Sequence, residues 1–242
     1  MSDILKAIEK EKEYLSYRMN GKEPFHLANA IKEYGFESLD EYFKAKKYYK
    51  VSRLPFVVIE TTPEQAVAEV LNTIAAKKTA ILFAETKETL VWNGDGSKFN
   101  DSFCVECNIP VYPLQTGGGT IVSTAGDLNI GICVPQHMGV DALFILSGFA
   151  DIFRKHTDKE VCVSGNDVLV DGCKVLGSST YNSNGMFMLI TPVSLSEKTE
   201  LIASICTKHS AKQPSHIDFM DGATLRQEVE QMFLDFCHAD QT

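Results

Sequence analysis

The spacing of apolar side chains changes character near residue 55. Before it, Ile4, Ile8, Leu15 and Met19 fall near one face of a charged helix, and Ser38-Leu39-Asp40-Glu41 is a capping box opening another, with Leu39, Tyr42 and Phe43 available for burial. From Phe56 the pattern shortens. Phe56-Val57-Val58-Ile59 reads as a strand, and Thr62-Pro63-Glu64-Gln65 as a helix start with a capping hydroxyl and a first-turn proline. Ala66, Val67, Val70, Leu71 and Ile74 form the expected buried stripe of that helix. Ala80–Ala84 and Thr89–Trp92 predict a strand pair, followed by a glycine loop at Asn93–Gly96 and an extended Ile109–Tyr112.

Further strands are expected at Asn129–Val134, Glu160–Val163, Val168–Val170 and Met186–Ile190. Residues 139–155 carry Val140, Leu143, Phe144, Leu146, Ile152 and Phe153 in a mostly apolar helix, and Ala223 to His238 is amphipathic, with Leu225, Val229, Met232, Phe233 and Phe236 on one side. Strands often follow one another here without an intervening crossover helix. That pattern predicts an α/β (α+β) fold with a mixed, mainly antiparallel sheet packed with helices, rather than a Rossmann arrangement. Residues 1–52 form a helical N-terminal extension, and 53–242 the α/β domain.

Composition narrows the functional classes. The chain has 242 residues, enough to bury a substantial core, and a formal net charge of −9. An acidic surface with no basic run longer than Lys44-Ala45-Lys46-Lys47 lacks the clustered cations needed to neutralise nucleic-acid phosphates. No apolar run approaches the roughly 20 residues that span a bilayer, and the first residues lack a signal-peptide hydrophobic region, so a cytoplasmic address is expected. Seven scattered cysteines point to reduced thiols, including the close pair Cys104 and Cys107. Six histidines without ligand spacing give no reason to expect a metal beyond a nucleotide-associated Mg²⁺.

Two motifs carry chemistry. The stretch Asn166-Asp167-Val168-Leu169-Val170-Asp171-Gly172-Cys173-Lys174-Val175-Leu176-Gly177 places a lysine in a tight turn between strand-like runs. Upstream, Gln115-Thr116-Gly117-Gly118-Gly119-Thr120 offers glycines whose backbone amides can approach a phosphate or carboxylate. Each alone has an ordinary reading: a glycine turn, a solvated lysine, an Asn-Asp turn cap. Together, a fixed cation and a glycine cradle suit an acyl-phosphate.

The pair, in this order and spacing, resembles the catalytic domain of the lipoate-protein ligase and biotin-protein ligase family, and more closely its lipoyl branch. Gly117-Gly118-Gly119-Thr120 followed by Gly126-Asp127-Leu128-Asn129-Ile130 resembles the glycine motif and the "gly-asn-leu-asn" strand after it. Asn166-Asp167 through Lys174-Val175-Leu176-Gly177-Ser178 resembles the second motif with its lysine. The resemblance covers Phe56 to about Phe236. It implies the class II ligase fold and an activity in which ATP converts lipoate, octanoate or a similar acid to an acyl-adenylate, whose acyl group passes to a lysine of a lipoyl-carrier domain. It implies that Lys174 is catalytic. It also implies that Gln115, Thr116, Gly117, Gly118, Gly119, Thr120, Asn166, Asp167, Gly177 and Ser178 contact substrate or nucleotide, with Asp167 a candidate Mg²⁺ ligand.

Departures from the family pattern open further readings. Leu114-Gln115 stands where two arginines are usual, Ser123 near the place of a histidine, Cys173 where a basic residue precedes the lysine, and Tyr181-Asn182 where another basic side chain is common. An accessory partner would then replace the C-terminal domain that many bacterial lipoate ligases carry. An octanoyl or lipoyl transferase working through a cysteine thioester is a second expectation, with Cys206 or Cys162 as nucleophile. A non-catalytic binding protein on the same fold is a third.

Overall fold

Strand β1 (Phe56–Thr61) leads through helix α1 (Pro63–Ala75) into β2 (Thr79–Glu85), and the two strands pair in parallel. The computed structural model describes residues 56–94, 99–114, 119–136, 140–207 and 212–238. The expected extension 1–52 with its two helices lies outside them, as do Gln115, Thr116, Gly117, Gly118 and the side chains of Val67 and Phe236. Pro63 begins α1 as expected, although the Thr62 side chain caps no backbone amide. Val70 and Ile74 are buried, whereas Leu71 is exposed: one residue on from Val70, it has turned about 100° around the helix and left the stripe.

The next elements are β3 (Leu90–Gly94), α2 (Asp101–Glu106), β4 (Val111–Leu114), β5 (Thr120–Ser123), β6 (Leu128–Pro135) and α3 (Ala142–His156). After α3 come β7 (Val161–Ser164), β8 (Asp167–Val170), β9 (Cys173–Gly177), β10 (Ser179–Ser183), β11 (Met186–Val193), α4 (Thr199–Ile205) and α5 (Gly222–His238). One sheet of eight strands runs β1-β2-β6-β11-β9-β8-β7, with β10 also on β11; a smaller sheet runs β4-β3-β5. The larger sheet is mixed and mainly antiparallel, as the pattern predicted.

One pairing differs from expectation. β2 and β3 are not partners: β2 lies between β1 and β6, while β3 joins β4 and β5 in the other sheet. Proximity in sequence suggested a strand pair, but β2 is buried from Thr79 to Ala84 and takes an interior position with a neighbour on each side. β6 is likewise buried from Leu128 to Val134, which explains an apolar run instead of an alternation. Val70 and Ile74 of α1 cover one face of the larger sheet through Leu82, Cys133 and Met188. On α5, Leu225, Val229 and Phe233 form the buried stripe, with the Phe233 ring edge-on to Phe56.

Candidate active site

Two tight hairpins build the lysine motif. β7 and β8 are joined by Gly165-Asn166, with Gly165 at φ +65, and β8 and β9 by Asp171-Gly172, both at positive φ, the Asp-Gly signature of a type I′ turn. Lys174 is therefore not a turn residue, as the spacing had suggested, but the second residue of β9. The ladder slips between Val168 and Leu169: Val168 faces Leu176, but Leu169 faces Lys174. In an unbroken ladder Lys174 would oppose Val170 and point to the other face of the sheet. The bulge shifts the alternation by one and brings Lys174 onto the face of Asp167.

There the Lys174 ammonium lies 2.8 Å from Asp167 Oδ1. The other carboxylate oxygen accepts from Lys212 at 2.7 Å, and the same ammonium also donates to the Ser164 carbonyl. Lys212 arrives from a distant part of the sequence. The segment after it docks beside β9, with Lys174 N–H donating to Gln213 O and Ser215 N–H donating to Lys174 O, both at 2.8 Å. Gly177 lies opposite Asp167, and a Cβ there would come within 2.6 Å of Lys174 Nζ. Its missing side chain is the room that the lysine occupies. Burial alone would raise the Asp167 carboxyl, but the hydrogen bonds and charges of Lys174 and Lys212 hold it below the ordinary carboxylate value.

A second ion pair is almost dry. Asp127, 1% exposed, accepts from Thr124 N–H at 2.7 Å, Leu195 N–H at 2.9 Å and the Lys198 ammonium, whose side chain is 6% exposed. Asp127 thereby ties the β5–β6 loop to the segment entering α4. Burial holds the Lys198 ammonium below the usual lysine value, an effect opposed by Asp127. Lys198 was not legible as a site residue, but it had a sequence signal: Asp127 replaces the asparagine of the "gly-asn-leu-asn" strand, and a buried acid calls for a cation.

Lys174, Lys198 and Lys212 line one cavity of about 300 Å³, together with Gly119, Thr120 and Cys206. Gly119 is held by Gly94 N–H donating to its carbonyl at 3.1 Å, and the Thr120 hydroxyl donates to Asn93 Oδ1 at 3.2 Å. Gly177 and Ser178 are also in the wall, and Ser178 donates from both its N–H and its hydroxyl to the Asn166 carbonyl. Asn166 itself is exposed and contributes through that carbonyl, behind the lining. Of the two candidate nucleophiles, Cys206 is in the lining, at the C-terminus of α4; Cys162 sits on β7 opposite Leu169 and is not among the lining residues. Burial pushes the Cys206 thiol up.

Asp167 does not suit a metal. Both of its oxygens are bonded to ammonium groups, and a divalent cation would have to displace them. No cluster of three or more metal-ligating side chains occurs among the described residues. Among the described residues the cavity lining carries three lysine ammoniums, with Lys174 and Lys212 on Asp167 and Lys198 on Asp127. Three ammoniums around one cavity suit a ligand with anionic groups.

No protein-family model matches the chain, and no curated protein matches it significantly by sequence. Solved structures do match its fold. Lipoate-bound LipL1 of P. falciparum superposes with a TM-score of 0.61 at 13% identity, over 75% of this chain and 61% of that one. The bi-partite lipoate protein ligase of Thermoplasma acidophilum, described with its E2 lipoyl domain, gives a TM-score of 0.62 at 12% identity, over 77% of this chain and 84% of the other. A lipoate-protein ligase A bound with ATP gives 0.61 at 12% identity, over 77% and 86%. No helix among the described residues is long and apolar enough to cross a membrane. With its mixed, mainly antiparallel sheet and these superpositions, the chain has the fold of the lipoate-protein ligase catalytic domain.

Proposed function

We propose that this protein is a lipoate-protein ligase-like acyltransferase. It would activate lipoate, octanoate or a similar acid with ATP and transfer the acyl group to a lysine of a lipoyl-carrier domain. The observation that carries the reading is Lys174, clamped by Asp167 on the wall of a cavity that Gly119 and Thr120 also line. In the first step a carboxylate oxygen attacks the α-phosphorus and pyrophosphate leaves. Two anions must then approach each other, and a fixed ammonium lowers that repulsion in place. Lys174 would take this role, and its bond to Asp167 would limit the reorganisation needed. In the second step the carrier amine attacks the acyl carbonyl and AMP leaves, with Lys174 stabilising the charge that develops on the carbonyl oxygen.

Lys198 and Lys212 answer the missing arginines of the glycine motif. Both come from the chain after β11 and line the cavity of Lys174, and they would supply there the positive charge that the sequence upstream of Gly117 lacks. Gly117, Gly118 and Gly119, with Gln115 and Thr116, remain the proposed backbone cradle. The carrier domain and an accessory partner remain proposals, as does a cytoplasmic location. Mg²⁺ is given no role at Asp167.

A second reading is favoured by the position of Cys206 in the same lining. Its thiolate would attack an acyl thioester, release the donor thiol, and yield the acyl group to the acceptor amine. The raised thiol pKa requires a base for that attack, which weakens this route relative to the adenylate. The non-catalytic reading is opposed by the intact Lys174 pair. Incubation with ATP, Mg²⁺ and lipoate, octanoate or biotin, followed by mass spectrometry, tests the proposal: acyl-adenylate is expected from the wild type and not from Lys174→Ala. Absence of both adenylate and transfer from an acyl-thioester donor would refute both catalytic readings.

A further inference from the structure

Lys212 enters the lysine cavity from a segment that runs beside β9. Pro214 bridges Lys174 in parallel, with the Lys174 N–H donating to Gln213 O and the Ser215 N–H donating to Lys174 O, so the backbone holds the two lysines in register. Their ammoniums then meet on one carboxylate: Lys174 on Asp167 Oδ1 at 2.8 Å, and Lys212 on Oδ2 at 2.7 Å. Both line the cavity, and their side chains stay 35% and 27% exposed.

The two ammoniums are not equivalent. Gly177 of β9 faces Asp167 of β8, and Asp167 faces Ser164 of β7, the last strand in the order of the larger sheet. Lys212 also donates to the Ser164 carbonyl, which puts its ammonium on the β7 side of Asp167. Leu176 of β9 and Pro192 of β11 lie the other way along the sheet and give the cavity apolar wall. Like charges gathered on one carboxylate repel each other, and an anion lying along both relieves that repulsion. The row therefore fits a ligand that meets Lys174 with one anionic group and Lys212 with the next.

We propose that Lys212 is a catalytic residue of the adenylation step, where it binds the terminal phosphates of ATP and stabilises the pyrophosphate that leaves, and that it has no such part in transfer. The inference rests on the acyltransferase reading. In that step the carboxylate oxygen bonds to the α-phosphorus, the bond from that phosphorus to the bridging oxygen breaks, and its electron pair departs on pyrophosphate. Charge grows on the departing oxygen, and a cation one position beyond Lys174 meets it there. When the carrier amine attacks, pyrophosphate has gone and AMP is the leaving group, so the anion that Lys212 binds is absent.

Two partial reactions separate this role from that of a lysine which merely pins the β7–β8 turn. Adenylation is followed in a single turnover with ATP and lipoic or octanoic acid; transfer is followed by supplying synthetic lipoyl- or octanoyl-adenylate with a lipoyl-carrier domain. Lys212→Met, in which Asp167 keeps Lys174, is expected to slow adenylation about tenfold or more beyond any effect on transfer, and Lys212→Arg to recover part of the loss. Calorimetry with inorganic pyrophosphate is expected to show binding to the wild type that weakens about tenfold in Lys212→Met, with AMP binding changed far less. Equal slowing of the two reactions would overturn the inference, and so would pyrophosphate binding that is absent from the wild type or unchanged in the variant. Both results leave the acyltransferase reading standing. A wild type that forms no adenylate and transfers nothing from the synthetic adenylates would instead refute that reading, and the inference with it.

Discussion

Lys174 and Lys212 share one carboxylate, and this sets what each substitution should do. Lys174→Ala leaves Asp167 bonded to Lys212, and the Lys174 side chain is already 35% exposed, so the melting temperature should change little. Catalysis should fall by about 10²–10³-fold if the ammonium is the fixed charge of the acyl step, read as kcat in an acyl-transfer assay. A fall in activity that merely tracks lost folded protein would contradict this role. Asp167 gives a pH signature. Its folded value lies below the ordinary 3.8, so its contribution to stability is complete above that pH and is lost as the pH falls through the folded value. Chemical denaturation of wild type and Asp167→Asn should show a stability gap that is constant near neutrality and closes in acid; a gap that widens in acid would contradict it. The lysine was legible in the sequence because it sits in a motif, whereas Lys212 was not, since the bridge that seats it beside β9 links residues far apart in the chain.

At the scale of elements, the bulge in β9 and the loop held by Asp127 do the positioning. Gly177→Ala would place a Cβ 2.6 Å from the flexible end of Lys174. The ladder should survive and the lysine should move, so Gly177→Ala should lower kcat with a melting temperature close to wild type. Simultaneous loss of fold and activity would argue that Gly177 serves the strand instead. Asp127→Ala removes one partner of a nearly dry ion pair and should cost about 3–5 kcal/mol in denaturant unfolding. The double variant Asp127→Ala with Lys198→Met should recover part of that loss, because no uncompensated ammonium remains. Long apolar strands such as β2, β6 and β11 were legible from composition alone. Strands β5, β9 and β10 were not: they are short, β10 is the polar Ser179-Thr180-Tyr181-Asn182-Ser183, and a one-residue slip in β9 defeats any alternation rule. The expected pairing of β2 with β3 failed for a related reason, since apolar periodicity marks a strand without naming its partner.

For the molecule as a whole, the fold persists where identity with matched lipoate ligases has fallen to 12–13%. A hydrophobic pattern survives such divergence because many apolar residues can fill one interior. Charge placement is less tolerant: Leu114-Gln115 stands where the resemblance leads one to expect arginines, while Lys198 and Lys212, from the chain after β11, line the cavity of Lys174. The adenylate and thioester routes separate at this scale, because Cys206→Ser should leave ATP-dependent transfer unchanged and abolish transfer that proceeds through a thioester. The most direct measurement is the intact mass of a lipoyl-carrier domain after incubation with the protein, ATP and an acyl acid, for wild type and Lys174→Ala in parallel. The predicted result is an added acyl mass that requires ATP and Lys174. An acylated carrier formed equally well by Lys174→Ala, or an unmodified carrier with every acid tried, would contradict the account.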